Sequence, residues 1–335
     1  MTATLTDTAA RQARPARPPL HRLAWVTWRQ HRTVLLVLTG AIAACALILF
    51  YYGRQMHTDF TSFDLSSCLP GHSPKDCTFA TQEFHSDQNR VSQLMAAFLP
   101  LPIIFGLFIG APLLAREYES GTYRFAFTQG AGRTRWMVTK ISLLTVFTIV
   151  ATTAFTLVVM WWYAPLVPLY GRLGNTGIQE IYGLVFVGRA VFALALGILA
   201  GALFRRVVPA IGATLVVWVA VVIPSITAVR PHLMSPLTLV NGSDPNGWVI
   251  TDVWKSPTGS VLSYDQVNTL EYTAAQAGHK LDLTSYLAQK GYTHTVTYQP
   301  AGRFWDFQAI EAGGLVVVSI ILFIAAVWLV RRRAA

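Results

Sequence analysis

The sequence is short of charge. Of its 335 residues only 13% are Asp, Glu, Lys or Arg, while 53% are hydrophobic. An average soluble domain carries roughly 25% charged residues. So much apolar surface cannot be hidden in a globule of this length, and it must face lipid or other subunits within lipid. The signatures of phosphate and hydrolytic chemistry are also missing. No GxxxxGK[ST] loop occurs, so the chain is not expected to hydrolyse ATP by itself. HExxH and GxSxG are absent, since Gly71-His72-Ser73 runs on into Pro74-Lys75. The eight histidines lie outside the apolar runs and form no pair at metal-ligand spacing. Neither a catalytic residue nor a bound metal or cofactor is expected, and the chain does not read as an enzyme.

What is present is a set of apolar runs, each near the ~20 residues needed to cross ~30 Å of hydrocarbon. Six can be delimited: Val34 to Tyr52, Val91 to Ala115, Ile141 to Tyr163, Ile181 to Phe204, Pro209 to Val229 and Ala309 to Val330. The expected fold is an all-α integral membrane protein with six transmembrane helices. The first 33 residues lack an apolar core, so no cleaved signal peptide is expected and the first helix is retained.

The net charge of +10 is unevenly spread along the chain. Segments 1–33, 116–140, 205–208 and 331–335 together carry 16 Lys/Arg against three acids, Asp7, Glu117 and Glu119. Segments 53–90, 164–180 and 231–306 carry 8 basic residues against 12 acids. This asymmetry predicts cytoplasmic N and C termini in a multi-pass protein of the cell membrane. Basic charge reads here as orientation, and no nucleic-acid partner is expected. On that topology Cys68 and Cys77 share an exterior loop, where they either form a disulfide or remain two free thiols. Cys45 lies in the first span.

Residues 1–19, rich in Arg and Pro, read as a disordered cytoplasmic arm. From 20 to 33, Leu20, Leu23, Ala24 and Trp28 share one helical arc, with Arg22, Arg29 and Arg32 opposite. This predicts an amphipathic interfacial helix, or else a first span that begins early. Gly106/Gly110 and Gly197/Gly201 form GxxxG pairs that would let helices approach closely. Pro100, Pro102 and Pro112 predict a kinked or broken second span. The segment 231–306 reads as a small extracellular cap, helical from about Tyr264 to Lys290 with a break near Gly278, then strand-like from Thr293 to Gln299. The sixth span and a basic C-terminus follow over 307–335.

Inside the six runs only Arg189 and Glu311 are ionisable. Arg189 lies nine residues beyond Ile181, ~12 Å deep at 1.5 Å per residue. Burying it would cost about 2.5–3.5 kcal/mol without a partner or an aqueous pocket. It is either a substrate-pathway charge, or a structural pair or snorkelling side chain. Ion-coupled carriers generally need carboxylates or broken-helix ion sites near the midplane, and no run offers a central carboxylate. Energy for uphill transport must then arrive from a second polypeptide, through cytoplasmic loops. Loop 116–140 suits that role. Gly121 can end the second helix, Tyr123 to Gln129 can form a short helix, and Arg133, Arg135 and Lys140 lead back to the membrane. An ordinary basic loop anchored by aromatics fits the same spacing.

At this loop the chain resembles the permease subunits of ABC-2-type ATP-binding-cassette exporters, in their actinobacterial form. The matching run is Gly110-Ala111-Pro112-Leu113-Leu114-Ala115-Arg116-Glu117, then Glu119, Gly121-Thr122, Gln129, Arg133-Thr134-Arg135-Trp136 and Lys140. Further matches are Gly201 to Ala210; Tyr298-Gln299-Pro300, Arg303-Phe304-Trp305, Phe307-Gln308 and Ile310-Glu311; and Leu23-Ala24-Trp25, Trp28-Arg29-Gln30 and His31-Arg32. The loop departs from the family where LL-x-x-P often follows the Gly-Thr pair, reading Phe125-Ala126-Phe127-Thr128-Gln129-Gly130 instead. The resemblance implies a dimer of permeases, homo- or heteromeric, docked on two cytoplasmic ATPase subunits that bind ATP and Mg. It implies export of a drug, lipid or other hydrophobic solute. Carried over by position, Glu117, Glu119, Gly121, Thr122, Arg124, Arg133 and Arg135 belong to the ATPase-coupling region, and Arg205 and Arg206 to a second short turn. The other reading is an ATPase-linked sensor or resistance protein that transports nothing.

Overall fold

The computed structural model describes residues 20–62, 64–65, 93, 97–121, 133–174, 178–242, 244, 246–278 and 283–333. The expected arm 1–19, Cys68 and Cys77, Thr122 and Arg124, and the expected helix from Tyr123 to Gln129 lie outside the described residues. Cys45 is a free thiol. Among the described residues are six helices long and apolar enough to cross a membrane.

The first helix runs from Leu20 to Ser62 without a break, 43 residues in all. The segment 20–33, expected as an interfacial helix, continues without interruption into the helix of the first span. No Gly or Pro falls between Leu20 and Thr39 to interrupt it. Thr27 and Thr39 donate back to the carbonyls of Leu23 and Leu35 and so stay within the helical pattern.

The second span is helical over Leu101–Phe105 and Ala111–Glu119, joined by a π turn over Gly106–Gly110. Pro112 has no N–H to offer and its ring crowds the carbonyl four residues back. The helix answers by widening rather than breaking, with the Ala111 N–H bonded to the Gly106 carbonyl. The expected break is thus a π-bulge.

Span three is Arg133–Tyr163, span four Leu184–Phe204, span five Val207–Pro224 with a π turn over Ser225–Val229, and span six Phe304–Arg333. The fourth is the hub. It packs against the second, third, fifth and sixth, and most of its residues are buried, while the first span packs on the third. The two GxxxG pairs explain that centrality, because they face each other. A Cβ on Gly110 would sit 2.6 Å from the Leu194 carbonyl, and one on Gly201 2.6 Å from the Ala111 carbonyl. Only backbones without side chains can approach this closely.

Between the fifth and sixth spans lies a small mixed insert. Strands β1 (Leu237–Val240), β2 (Trp248–Lys255) and β3 (Thr293–Gln299) form an antiparallel sheet in the order β1-β3-β2. The fold is mostly helical, which fits the expected all-α membrane protein, and this small sheet is an addition to it; of its strands only β3 was legible in the sequence. Helix Leu283–Gln289 packs on β3 and helix Tyr264–Gln276 packs on that helix, the two separated near Gly278 as expected. Ser263 and Gln266 close a capping box on the first of them. Gln299 and Arg303 donate to the carbonyls of Met234 and Ser235 at 2.6 and 2.7 Å. These bonds tie the end of β3 and the start of the sixth span to the end of the fifth.

Candidate functional site

Two ionic centres sit at opposite ends of the fourth span. The first surrounds Arg189. The chain ahead of that span forms a four-residue helical turn, Ile178–Ile181, whose residues are all buried. Gly183, at φ 89°, then reverses it into the span. Such irregular backbone is tolerated at membrane depth only when protein satisfies it. Here Thr156 of the third span accepts from the Gly183 N–H at 2.8 Å and donates to the Ile181 carbonyl at 2.9 Å. Gln308 of the sixth span accepts from the Val185 N–H at 2.8 Å and donates to the Gln179 carbonyl at 3.1 Å.

This folded-back turn delivers Glu180 to Arg189. The Arg189 guanidinium binds Glu180 through one nitrogen and Glu311 through the other, the latter at 2.7 Å. Arg230, at the end of the fifth span, bridges the same two carboxylates, reaching Glu311 at 2.7 and 2.9 Å and Glu180 through both terminal nitrogens. Each carboxylate oxygen accepts from at least one arginine. All four residues are buried, Glu180 and Arg189 to 2% exposure. The quartet is electrically neutral and joins the fourth, fifth and sixth spans with the segment that precedes the fourth. Arg189 thus has its structural partners, and Glu311 is one of them. Glu180 and Arg230 were missed. Glu180 was expected in an exterior loop, and it and Arg230 join Arg189 and Glu311 as buried charges.

The second centre lies at the other end. Glu117, on the last turn of the second span, pairs with Lys140 of the third. The Lys140 ammonium is 1% exposed and also sits 4.2 Å from the centroid of the Trp136 ring. Of the remaining residues expected for coupling, Glu119, Arg205 and Arg206 are exposed, and Arg135 is half-buried at the start of the third span. Gly121 holds φ 70°, the left-handed conformation expected of a helix-ending glycine. Arg133 begins the third helix.

The structure brings the last turn of the second span against the C-terminal end of the fourth. Arg205 caps the fourth span at φ 57°, its N–H bonded to the Gly201 carbonyl, and its guanidinium lies 5.5 Å from the centroid of the Tyr118 ring. A non-glycine residue in this left-handed position costs roughly 1–2 kcal/mol. The arginine recovers part of that through its contact with the ring. Arg206 follows in extended conformation and starts the fifth span.

Comparison with known proteins supplies one match. A family model described as "ABC-2 membrane transporter related" covers residues 39–230, more than half of the chain. The matched stretch contains Glu117, Lys140, Arg205, Glu180, Arg189 and Arg230, and ends before Glu311. No curated protein and no solved structure matches the chain.

Proposed function

The chain belongs to the ABC-2 membrane transporter related family, and from that premise we propose that it is the permease subunit of an ATP-driven exporter, energised by separate ATPase subunits. It is a multi-pass membrane protein, and the excess of basic residues in the segments at the Glu117 end and in both terminal segments supports a cytoplasmic location for that end. The insert bearing the β-sheet then lies outside as a cap. The observation that carries the proposal is the meeting of Tyr118 and Arg205. It joins the last turn of the second span to the residue that caps the fourth, beside the Glu117–Lys140 pair. A cytoplasmic ATPase pressing there would move the second and third spans, and, through the glycine contact, the fourth.

The interior supports an external source of energy. Its buried carboxylates, Glu180 and Glu311, are both held by two arginines, so a coupling ion would have to displace an arginine to bind. ATP and Mg belong to the partner, of which two copies would serve a permease dimer. The cargo expected is a drug, lipid or other hydrophobic solute moving outward. Co-expression with a candidate ATPase subunit tests the assembly, with co-purification and ATP-dependent movement of a fluorescent lipid or dye in vesicles as the expected result. An intact complex that hydrolyses ATP but moves nothing across a panel of such probes would favour the sensor reading.

A further inference from the structure

At the Glu117 end, the outer faces of the third and sixth spans leave an open groove of about 410 Å³ between them. This falls within the range of roughly 300–1,000 Å³ typical of clefts that hold small ligands. Val138, Ile141 and Ser142 form one wall, and Phe323, Ile324 and Val327 the other. Trp328 and Arg331 close its mouth. The groove is strongly apolar along its length and cationic at one end.

The helical register makes the cationic end wider than one residue. Arg135 precedes Val138 by three positions and Ser142 by seven, so it lies on the same face, one turn nearer the helix start. Arg331 likewise follows Ile324 by seven and Val327 by four. Each wall thus ends in an arginine, and neither arginine makes an ion pair with any described residue. Arg332 stacks on Trp328 with its guanidinium 5.2 Å from the ring centroid. Neither helix carries a carboxylate of its own at this end, and Glu117 of the second span, which meets the third helix there, is taken up by Lys140. The third span has no Asp or Glu, and the sixth has only Asp306 and Glu311, the nearer of them ~30 Å along the helix from Arg331.

We infer that this groove is a binding site for one anionic phospholipid of the leaflet at the basic end, its acyl chain between the third and sixth spans and its phosphate between Arg135 and Arg331. Apolar walls alone would accept any acyl chain. The paired arginines supply the selectivity, because a basic pocket between membrane helices favours an anionic headgroup over a zwitterionic one. Exposed Trp328 sits at the level where an indole bridges hydrocarbon and headgroup. The inference rests on the chain spanning a bilayer and needs no transport, so it stands or falls separately from the exporter reading.

The test is native mass spectrometry of the purified full chain, titrated with phosphatidylglycerol or with phosphatidylcholine of the same chains. The expected result is one tightly retained phosphatidylglycerol and weaker phosphatidylcholine. Arg331→Ala should weaken phosphatidylglycerol about fivefold, and Arg135→Ala with Arg331→Ala about twenty-five-fold, at about a fivefold loss per surface cation. Arg331→Lys should restore most of the binding. Val138→Trp, which fills the groove and leaves both arginines, should weaken both lipids alike. Equal retention of the two lipids would overturn the proposal. So would loss of binding in the arginine variants without loss in Val138→Trp, since that pattern describes a charged surface rather than a groove.

Discussion

The two ionic centres differ in how completely they are closed. The quartet of Glu180, Arg189, Arg230 and Glu311 balances two charges of each sign among buried residues, every carboxylate oxygen used. The Glu117–Lys140 pair has one buried member and one that remains partly exposed, and it borders the open surface of Glu119, Arg205 and Arg206. A closed network holds helices in one arrangement. A half-open pair at a helix end is a place where an outside body can push. On the proposed coupling reading, the quartet would fix the bundle and the pair would receive force.

The largest effect should come from breaking the closed centre. Arg230→Ala leaves two buried carboxylates to a single arginine, and removing one partner of a buried ionic network costs about 3–5 kcal/mol. Thermal unfolding in detergent should show a large drop in midpoint, or no folded protein at all. A variant as stable as the parent would mean that the quartet does not hold the bundle together. Next comes Gly197→Val at the helix crossing, where a Cβ would meet the backbone of the second span at the Ala111 nitrogen, 2.7 Å away. Overpacking of this kind costs about 1–3 kcal/mol, read by the same melt.

The half-open centre should behave differently. Glu117→Lys sets two ammonium groups together at a site with access to solvent. We expect membrane insertion to persist, with ATP-dependent transport lost. Adding Lys140→Glu to that variant should restore part of the activity, and normal transport in the single variant would refute the coupling role. The smallest effect on stability belongs to Arg205→Gly. The substitution relieves a left-handed strain of about 1–2 kcal/mol and forfeits a ring contact of about 0.5–1 kcal/mol at an exposed site. The melt should shift little, while ATPase stimulation falls if the Tyr118 contact transmits force.

The existence of six spans was legible because length and apolarity alone decide whether a helix can cross a bilayer. Their ends were not. The first helix extends well past its apolar run at both ends, because a polar segment with nothing to break it stays helical. The alternation of β3 could be read, but β1 and β2 could not, since their strand character comes from pairing on either side of a third strand distant in sequence. Arg189 and Glu311 stood out as charges inside apolar runs. Glu180 and Arg230 sit at the edges of such runs, where a charge looks solvated. What buries Glu180 is the reversal at Gly183, and a lone glycine does not announce it. The available signal was one of number: an unpartnered arginine at depth calls for acids near the same bundle end, and Glu180 was close enough in sequence to supply one. The glycine pairs were visible as motifs, while their mutual contact within one chain required the structure.

The most direct test of the account asks where the energy enters. The purified chain would be placed in vesicles, alone under an imposed proton or sodium gradient, and in parallel with its co-purified ATPase subunit and ATP. Movement of a fluorescent lipid or dye against its gradient would be followed in both. Uphill movement only with the ATPase and ATP is the predicted result. Uphill movement by the chain alone, driven by either ion, would contradict the claim that its buried carboxylates are closed to coupling.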